Sequence, residues 1–189
     1  MELMTVTGLS FAAYRDLVAG SDDRYELING ELKRVNPPKT QHFFIAKFLE
    51  RAIEAEIERA GLPWVCFQGA GVRTGLTKAR LPDVMAIERA AALDLWQESA
   101  IFEVTPCLVI EIVSPSSEVD DYRYKRSEYG AIEVPEYWIV DPLAGRVVVL
   151  VLVDGFYEES VFTGDDRLVS GLLPGFAVTA AMILSAGSV

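Results

Sequence analysis

Two apolar segments joined by a helix-like segment constrain the fold of this chain most strongly. The first, "PCLVIEIV" (106–113), and the second, "EYWIVDP" (136–142), have the nearly continuous apolar character of strands buried on both faces. Residues 118–129 lie between them with helical spacing, and Gly130 is placed to end that helix. A strand–helix–strand crossover joins parallel strands. We therefore expect an α/β fold with a central mixed β-sheet flanked by helices.

The remaining segments add helices and strands around this crossover. Asn29-Gly30 predicts an N-terminal β-hairpin over 24–35, because a tight hairpin turn needs two residues that tolerate positive φ. Asp154-Gly155 predicts a second hairpin in the same way. Ser10 is placed to cap a helix over 11–19, and Thr40 to cap a long helix that runs to about Ala60. Further strands are predicted at 64–72, 82–88, 146–153 and 156–162, and short helices within 89–100 and 172–184.

Length and composition indicate a soluble, cytoplasmic protein. The 189 residues suit one domain, which we place at 1–189. Cys66 and Cys107 lie in apolar runs and suggest neither a disulfide framework nor a metal pair. The longest apolar run, "VVVLVLV" (147–153), is far shorter than the ~20 residues needed to cross a bilayer, so we expect no membrane association.

The net charge of −11 restricts the classes of partner. It argues against a protein that coats nucleic acid through many Lys and Arg contacts to phosphate. A local basic groove remains compatible with this charge, as does an acidic metal site that handles phosphate through the metal. No recognition helix or basic aromatic platform is evident in the sequence.

Glu111 lies in the middle of the first apolar strand. A buried carboxylate is costly unless it is paired, hydrogen-bonded, protonated or bound to a metal. A structural ion pair and a metal ligand are about equally consistent with this strand alone.

Asp83 and Lys125 give Glu111 a functional context. Asp83 follows Pro82 at the start of a predicted strand, where a turn aspartate is the ordinary alternative. Lys125 lies in the crossover helix, at the edge of its apolar stripe, with Arg126 nearer the middle. The residues of this stripe, which we expect to point inward, are Val119, Tyr122 and Tyr129. Its ordinary alternative is an ion pair with Asp121 on a solvated helix face.

Two carboxylates and a lysine can form a site for phosphodiester hydrolysis. Carboxylate oxygens are the ligands that Mg²⁺ prefers, and Mg²⁺ usually keeps several waters. Asp83 and Glu111 would bind Mg²⁺ or Mn²⁺, which activates a water. Lys125 would orient that water or stabilise the charge that develops on the phosphate.

The same residues resemble the signature of the PD-(D/E)XK nuclease superfamily. That signature is an Asp on one strand and Glu-x-Lys on the next, and it matches Pro82-Asp83 and Glu111-Ile112-Val113. Val113 stands where the lysine is expected. Some members of the superfamily carry this lysine on the following helix, and the resemblance assigns that role to Lys125.

One branch of the superfamily is similar over nearly the whole chain and in the same order. The sequence resembles the Uma-type family of restriction-endonuclease-like proteins. The resemblance implies a restriction-endonuclease-like core and a DNA substrate. The matching segments are "YELINGEL" (25–32), "PDV" (82–84), "EIVSPSS" (111–117), Asp121-x-x-x-Lys125, Tyr129, "VPEYWIVDP" (134–142) and "LPGF" (173–176).

Two accessory residues remain open. Glu26 matches a glutamate of the family and would complete the metal site; pairing with Lys33 or Arg34 across the hairpin is an equal alternative. His42 is the only histidine, on the apolar side of the long helix. It could serve as a base, but a packed histidine is the favoured interpretation.

We hypothesise a Mg²⁺- or Mn²⁺-dependent DNA endonuclease in which Asp83, Glu111 and Lys125 act together. Cutting both strands usually needs two sites, so a homodimer is expected. The alternative is a catalytically inactive nuclease fold that serves as a binding or interaction module. Val113 and the charge of −11 favour this alternative.

Overall fold

The computed structural model describes residues 8–21 and 23–188. The chain contains six helices and eleven strands in this described part. The helices are α1 (Phe11–Ala19), α2 (Thr40–Ala60), α3 (Arg89–Asp94), a π-helix (Asp120–Lys125), α4 (Arg126–Ala131) and α5 (Ala180–Leu184). The strands are β1 (Tyr25–Ile28), β2 (Glu31–Arg34), β3 (Trp64–Phe67), β4 (Gly71–Gly75), β5 (Lys78–Arg80), β6 (Val84–Glu88), β7 (Ile101–Phe102), β8 (Leu108–Ile112), β9 (Glu136–Asp141), β10 (Arg146–Val153) and β11 (Phe156–Thr163).

Six strands form the larger sheet, in the order β11-β10-β9-β8-β6-β3. Strands β8 and β9 are parallel and are joined by the π-helix and α4, as the two apolar segments predicted. The other neighbours in this sheet are antiparallel. The expected mixed α/β fold is therefore confirmed.

The N-terminal hairpin belongs to a second sheet, in the order β2-β1-β5-β4-β7. Asn29 and Gly30 both adopt positive φ, as the predicted turn requires. The predicted strand 64–72 divides into β3 and β4, which belong to different sheets. Strands β5 and β7 were not predicted, because three and two residues are too few to show a period-2 pattern.

The two faces of β8 contact different hydrophobic clusters. Leu108, Ile110 and Ile112 pack on the side of α2 and α5. Val109 and Val113 pack on the other side, with Tyr129 of α4. Because side chains alternate along a strand, Glu111 points to the side of Tyr129, beneath the helices of the crossover.

The helix caps follow the prediction at α1 but not at α2. The Ala13 amide donates to Ser10 Oγ at 3.2 Å, which confirms Ser10 as the cap of α1. Thr40 is instead the first helical residue of α2. Lys39 occupies the cap position without a side-chain hydrogen bond, so the predicted Thr40 cap is wrong. Gly61 ends α2 with a left-handed backbone.

No helix within residues 8–21 and 23–188 has the length and apolar character needed to cross a membrane.

Candidate active site

Glu111 lies at the centre of a buried cluster of charged side chains. It is 2% exposed. The Tyr129 hydroxyl donates to Glu111 Oε1 at 2.6 Å, and Lys125 Nζ lies 2.7 Å from Glu111 Oε2. Burial raises the pKa of Glu111 well above its usual value, Lys125 opposes that shift, and Asp83 and Asp121 add to it. The carboxylate is thus paired, but in surroundings that disfavour its charge.

Asp83 reaches the same place from the neighbouring strand. Val84 pairs with Ile110 in the antiparallel register of β6 and β8, so Asp83 comes opposite Glu111 at the start of β6. The Ile112 amide donates to Asp83 Oδ2 at 2.7 Å. Opposite residues in an antiparallel pair point to the same face of the sheet. The register therefore brings together the two carboxylates that the sequence singled out.

Lys125 completes the cluster from the last residue of the π-helix. It is 7% exposed, and its Nζ lies 2.8 Å from Asp121 Oδ1 as well as close to Glu111. Burial alone would lower the pKa of Lys125, but Glu111, Asp121, Glu26 and Asp83 raise it above its usual value. Lys125 is therefore held as an ammonium ion.

The side chains of the crossover helix do not point in the directions that an α-helical pattern predicts. Asp121 and Lys125 form the ion pair considered above, yet both are buried rather than on a solvated face. Val119, expected to point inward, is exposed. A π-helix has i→i+5 hydrogen bonds and a wider turn than an α-helix. The change in turn shifts which side chains face the sheet and turns Lys125 inward.

Asp121 is a residue of the cluster that the sequence did not single out as functional. It is 1% exposed, and neither carboxylate oxygen has a hydrogen-bond partner among the described residues. Its close approach to Lys125 is therefore an electrostatic contact with poor hydrogen-bond geometry. Burial is the main cause that raises the pKa of Asp121, partly offset by Lys125. Its signals in the sequence were its helical spacing from Lys125 and the Asp121-x-x-x-Lys125 match to the Uma-type family.

Val113, which aligns with the lysine of the signature that the sequence resembles, is buried in the cluster of Tyr129. It follows Glu111 by two residues and packs on the same face of the sheet. A lysine at this position and Lys125 on the helix would therefore approach the same face.

His42 contacts the site through Asp83. Its Nε2 lies 2.8 Å from Asp83 Oδ1, and its side chain is 15% exposed. His42 thus lies in α2 with its ring turned toward a carboxylate rather than packed solely against apolar side chains.

Glu26 lies beside this cluster and bonds to a second one. Arg80 Nη1 donates to Glu26 Oε2 at 3.2 Å, and the Leu81 amide donates to Glu26 Oε1 at 3.3 Å. The partners proposed across the hairpin are wrong: Lys33 pairs with Asp120 and Arg34 with Asp23.

Arg80 is the centre of this second cluster, of which the sequence had singled out only Glu26. It is 1% exposed and forms a bidentate pair with Glu128, with both N···O distances 2.8 Å. Thr74 Oγ1 also donates to Glu128 at 2.9 Å, and Lys78 Nζ donates at 3.2 Å. We call Arg80, Glu128, Glu26, Thr74 and Lys78 the Arg80 cluster, and Lys125, Glu111, Asp121 and Asp83 the Lys125 cluster.

The donor atoms of the Lys125 cluster are of the type that hard cations prefer. Its three acidic residues offer carboxylate oxygens, the ligands of Mg²⁺ and Mn²⁺. In the part of the chain that the structure describes, no group of three or more His, Cys, Asp or Glu side chains is arranged to hold a metal ion. The described residues therefore form no complete protein cage for a metal ion.

Comparison with known proteins gives the chain a family. The family Uma2, described as "Putative restriction endonuclease", matches residues 11–181. A crystal structure of a "putative nuclease belonging to DUF820" from Anabaena variabilis is similar in fold, with a TM-score of 0.76 and 17% sequence identity. The similarity covers 94% of this chain and 98% of that one. Among curated proteins there is no match. On the extent of the family match, this chain belongs to the Uma2 family.

Proposed function

We propose that the protein is a metal-dependent endonuclease that hydrolyses DNA phosphodiester bonds. Asp83 and Glu111 bind Mg²⁺ or Mn²⁺ in this proposal, and Lys125 assists catalysis from the crossover helix. One observation carries it: the Lys125 ammonium lies 2.7 Å from Glu111, although Val113 occupies the usual lysine position. A lysine displaced along the chain but present at the carboxylate is what a migrated catalytic residue requires.

The acidic side chains fit a hard divalent cation. Mg²⁺ is commonly bound through one or two carboxylates and keeps several waters, so two strand carboxylates are sufficient. The Lys125 cluster carries three carboxylates against one lysine, and Asp121 has oxygens without hydrogen-bond partners among the described residues. When bound, the cation would lower the pKa of a coordinated water and stabilise charge on a phosphoryl oxygen.

The surrounding residues orient the two proposed ligands. The Tyr129 hydroxyl fixes Glu111, and the Ile112 amide fixes Asp83. A raised pKa keeps Lys125 protonated near neutral pH. We therefore assign Lys125 the stabilisation of negative charge and the orientation of water by hydrogen bonding, rather than proton abstraction.

Cleavage of plasmid and linear DNA with Mg²⁺ or Mn²⁺ tests this function. We expect metal-dependent nicking or linearisation by the wild-type protein, and loss of both products in Asp83→Ala and Glu111→Ala. Circular dichroism verifies that each variant is folded. Cleavage that persists unchanged in both variants would exclude these carboxylates as the metal site.

The alternative of an inactive binding module is favoured by one contact. Lys125 already pairs with Glu111 and Asp121. A metal ion that binds Glu111 would have to displace Lys125 from this carboxylate. Calorimetric titration with Mn²⁺ separates the two functions. Binding that disappears in Glu111→Gln supports the endonuclease, whereas no binding by the folded wild-type protein supports the inactive module.

A further inference from the structure

The first half of α2 presents basic side chains to solvent in an otherwise acidic protein. Lys47 and Arg51 are exposed one helical turn apart, and exposed Lys39 directly precedes the helix. We call these three residues the basic face. None of them has a carboxylate within 4.0 Å in residues 8–21 and 23–188. In a chain of net charge −11, such cations remain available to an anionic partner.

An apolar groove adjoins the basic face. Its volume is about 530 Å³, and Lys47 and Arg51 contribute to its lining. Phe44 is 47% exposed within it, and the Gly187 backbone lies against the Phe44 ring, where a Cβ atom would clash. The groove thus combines an accessible aromatic ring with two cations. Its lining consists of Phe44, Lys47, Phe48, Arg51, Ala52, Ala186 and Gly187.

The same helix leads from this groove to the candidate active site. His42, two residues before Phe44, contacts Asp83 at 2.8 Å. With a rise of 1.5 Å per residue, the segment from His42 to Arg51 is about 14 Å long. At about 3.6 residues per turn, His42 and Arg51 point about 180° apart around α2. A strand bound along the basic face must therefore pass around the N-terminal end of α2, where Lys39 lies, to reach Asp83.

We propose that the first half of α2 binds one strand of the nucleic acid. Lys47 and Arg51 contact successive phosphates, and Phe44 accepts a base in the apolar groove. Stacking on an aromatic ring beside a basic track is how single strands are bound without sequence preference. This inference rests on the proposed function for the identity of the polymer and adds a binding surface and a preference for an unpaired strand.

The charge of α2 limits where that strand lies. Glu54 and Glu58 are exposed in the second half of the helix and carry the opposite charge to the basic face. Phosphates would be repelled there. The polymer accordingly leaves α2 after Arg51 rather than following the helix to its end.

Fluorescence anisotropy with a labelled single-stranded oligonucleotide, in EDTA to prevent cleavage, tests the basic face. We expect the double variant Lys47→Glu/Arg51→Glu to bind at least about tenfold more weakly at low salt, with a shallower dependence of affinity on salt by roughly 0.7 per lost phosphate contact. Arg89→Glu is the control, because Arg89 is exposed and follows the C-terminal end of β6, whereas Asp83 precedes its N-terminal end. Equal losses in the two proteins would overturn the assignment.

Replacement of Phe44 tests the groove. We expect Phe44→Ala to weaken single-strand binding by about tenfold and duplex binding by no more than about twofold, since paired bases cannot stack on the ring. Trp96→Ala, which removes another exposed aromatic ring, should change neither affinity. Equal losses for single strand and duplex in folded Phe44→Ala would exclude a base platform.

Binding and cleavage fail separately in this design. Asp83→Ala should keep the affinity of the wild-type protein in EDTA while losing cleavage. If wild-type protein binds oligonucleotide but never cleaves it, the endonuclease fails and the binding surface stands. Retention on anionic lipid vesicles without any oligonucleotide binding would overturn the surface as a nucleic-acid site.

Discussion

Two buried charge clusters lie side by side in this protein, and the pKa values of their glutamates Glu128 and Glu111 are shifted in opposite directions. In the Arg80 cluster, burial tends to raise the pKa of Glu128, but the bonds and charge of Arg80, helped by Thr74 and Lys78, lower it overall. In the Lys125 cluster, the pKa of Glu111 is raised despite Lys125. Both clusters contain a basic partner at bonding distance, so pairing alone does not explain the contrast.

The balance of charge and of hydrogen bonds explains it. Arg80 and Lys78 match Glu128 and Glu26, and both Glu128 oxygens accept hydrogen bonds. Lys125 instead pairs with both Glu111 and Asp121, with Asp83 nearby. The carboxylate oxygens of Asp121 have no hydrogen-bond partner among the described residues. Excess buried negative charge is costly for folding and is typical of functional sites. The Arg80 cluster has the features of structural support, whereas the excess negative charge of the Lys125 cluster is what the proposed metal-binding function requires.

The largest expected effect concerns activity at the Lys125 cluster. We expect Glu111→Gln to lower the cleavage rate at least about a thousandfold, because charge stabilisation by a bound metal contributes several kcal/mol. Its free energy of unfolding should change by only about 1 kcal/mol, because burial disfavours the charge of Glu111, Gln can still accept from Tyr129, and Lys125 keeps Asp121 as a counter-ion. Steady-state cleavage assays and urea denaturation measure the two quantities.

Glu128→Gln is the matched variant in the Arg80 cluster. The cleavage rate of this variant should stay within about tenfold of the wild-type rate, because Glu128 accepts hydrogen bonds from Arg80 and contacts no proposed metal ligand. A folded Glu128→Gln protein that loses cleavage as completely as Glu111→Gln would erase the distinction between the two clusters.

The second effect concerns stability at the Arg80 cluster. We expect Arg80→Met to lower the free energy of unfolding by about 3 kcal/mol, because it leaves Glu26 and Glu128 buried without their main partner. Arg80→Lys should recover part of this loss, since it restores charge without the bidentate geometry. Urea denaturation of the wild type, Arg80→Met and Arg80→Lys measures these unfolding free energies. A change below about 1 kcal/mol in Arg80→Met would show that the cluster is not structural.

The position of the lysine gives a third, smaller effect. The Lys125→Met variant should lose most of its cleavage activity. Adding Val113→Lys should raise the cleavage rate of this variant about tenfold, because residue 113 packs on the same face of the sheet as Glu111. The recovery should be incomplete, since Val113 is buried among apolar side chains. Single-turnover cleavage by the two variants measures it. No recovery in a folded double variant would count against an exchangeable lysine.

The difference between the clusters also separates what the sequence could predict from what it could not. The crossover and the position of Glu111 within it follow from apolar patterning, and the strand register brings Asp83 opposite Glu111. The metal and the catalytic role of these residues remain predictions. Arg80 was missed because it ends a strand of three residues, and such a strand carries no periodic signal.

The burial of Lys125 could not be predicted for a different reason. An α-helical period places Arg126 nearer the inward face than Lys125, whereas the π-helix turns Lys125 and Asp121 inward. A π-helical turn is rare and has no reliable sequence signature, although such turns are frequent at functional sites. The same limit applies to Phe44, Lys47 and Arg51, which have the pattern of an ordinary solvent-facing surface in the sequence.

The smallest effect is the pH dependence of stability at Glu128. Its folded pKa lies below the usual 4.5, so its stabilising contribution is complete above about pH 4.5 and is lost as pH falls through the folded pKa. Glu128→Gln removes this titration. The difference in unfolding free energy between wild type and variant should therefore narrow as the pH is lowered from 7 toward 3. Urea denaturation across this range measures it, and a difference that widened in acid would mean that Arg80 does not hold Glu128 in its charged form.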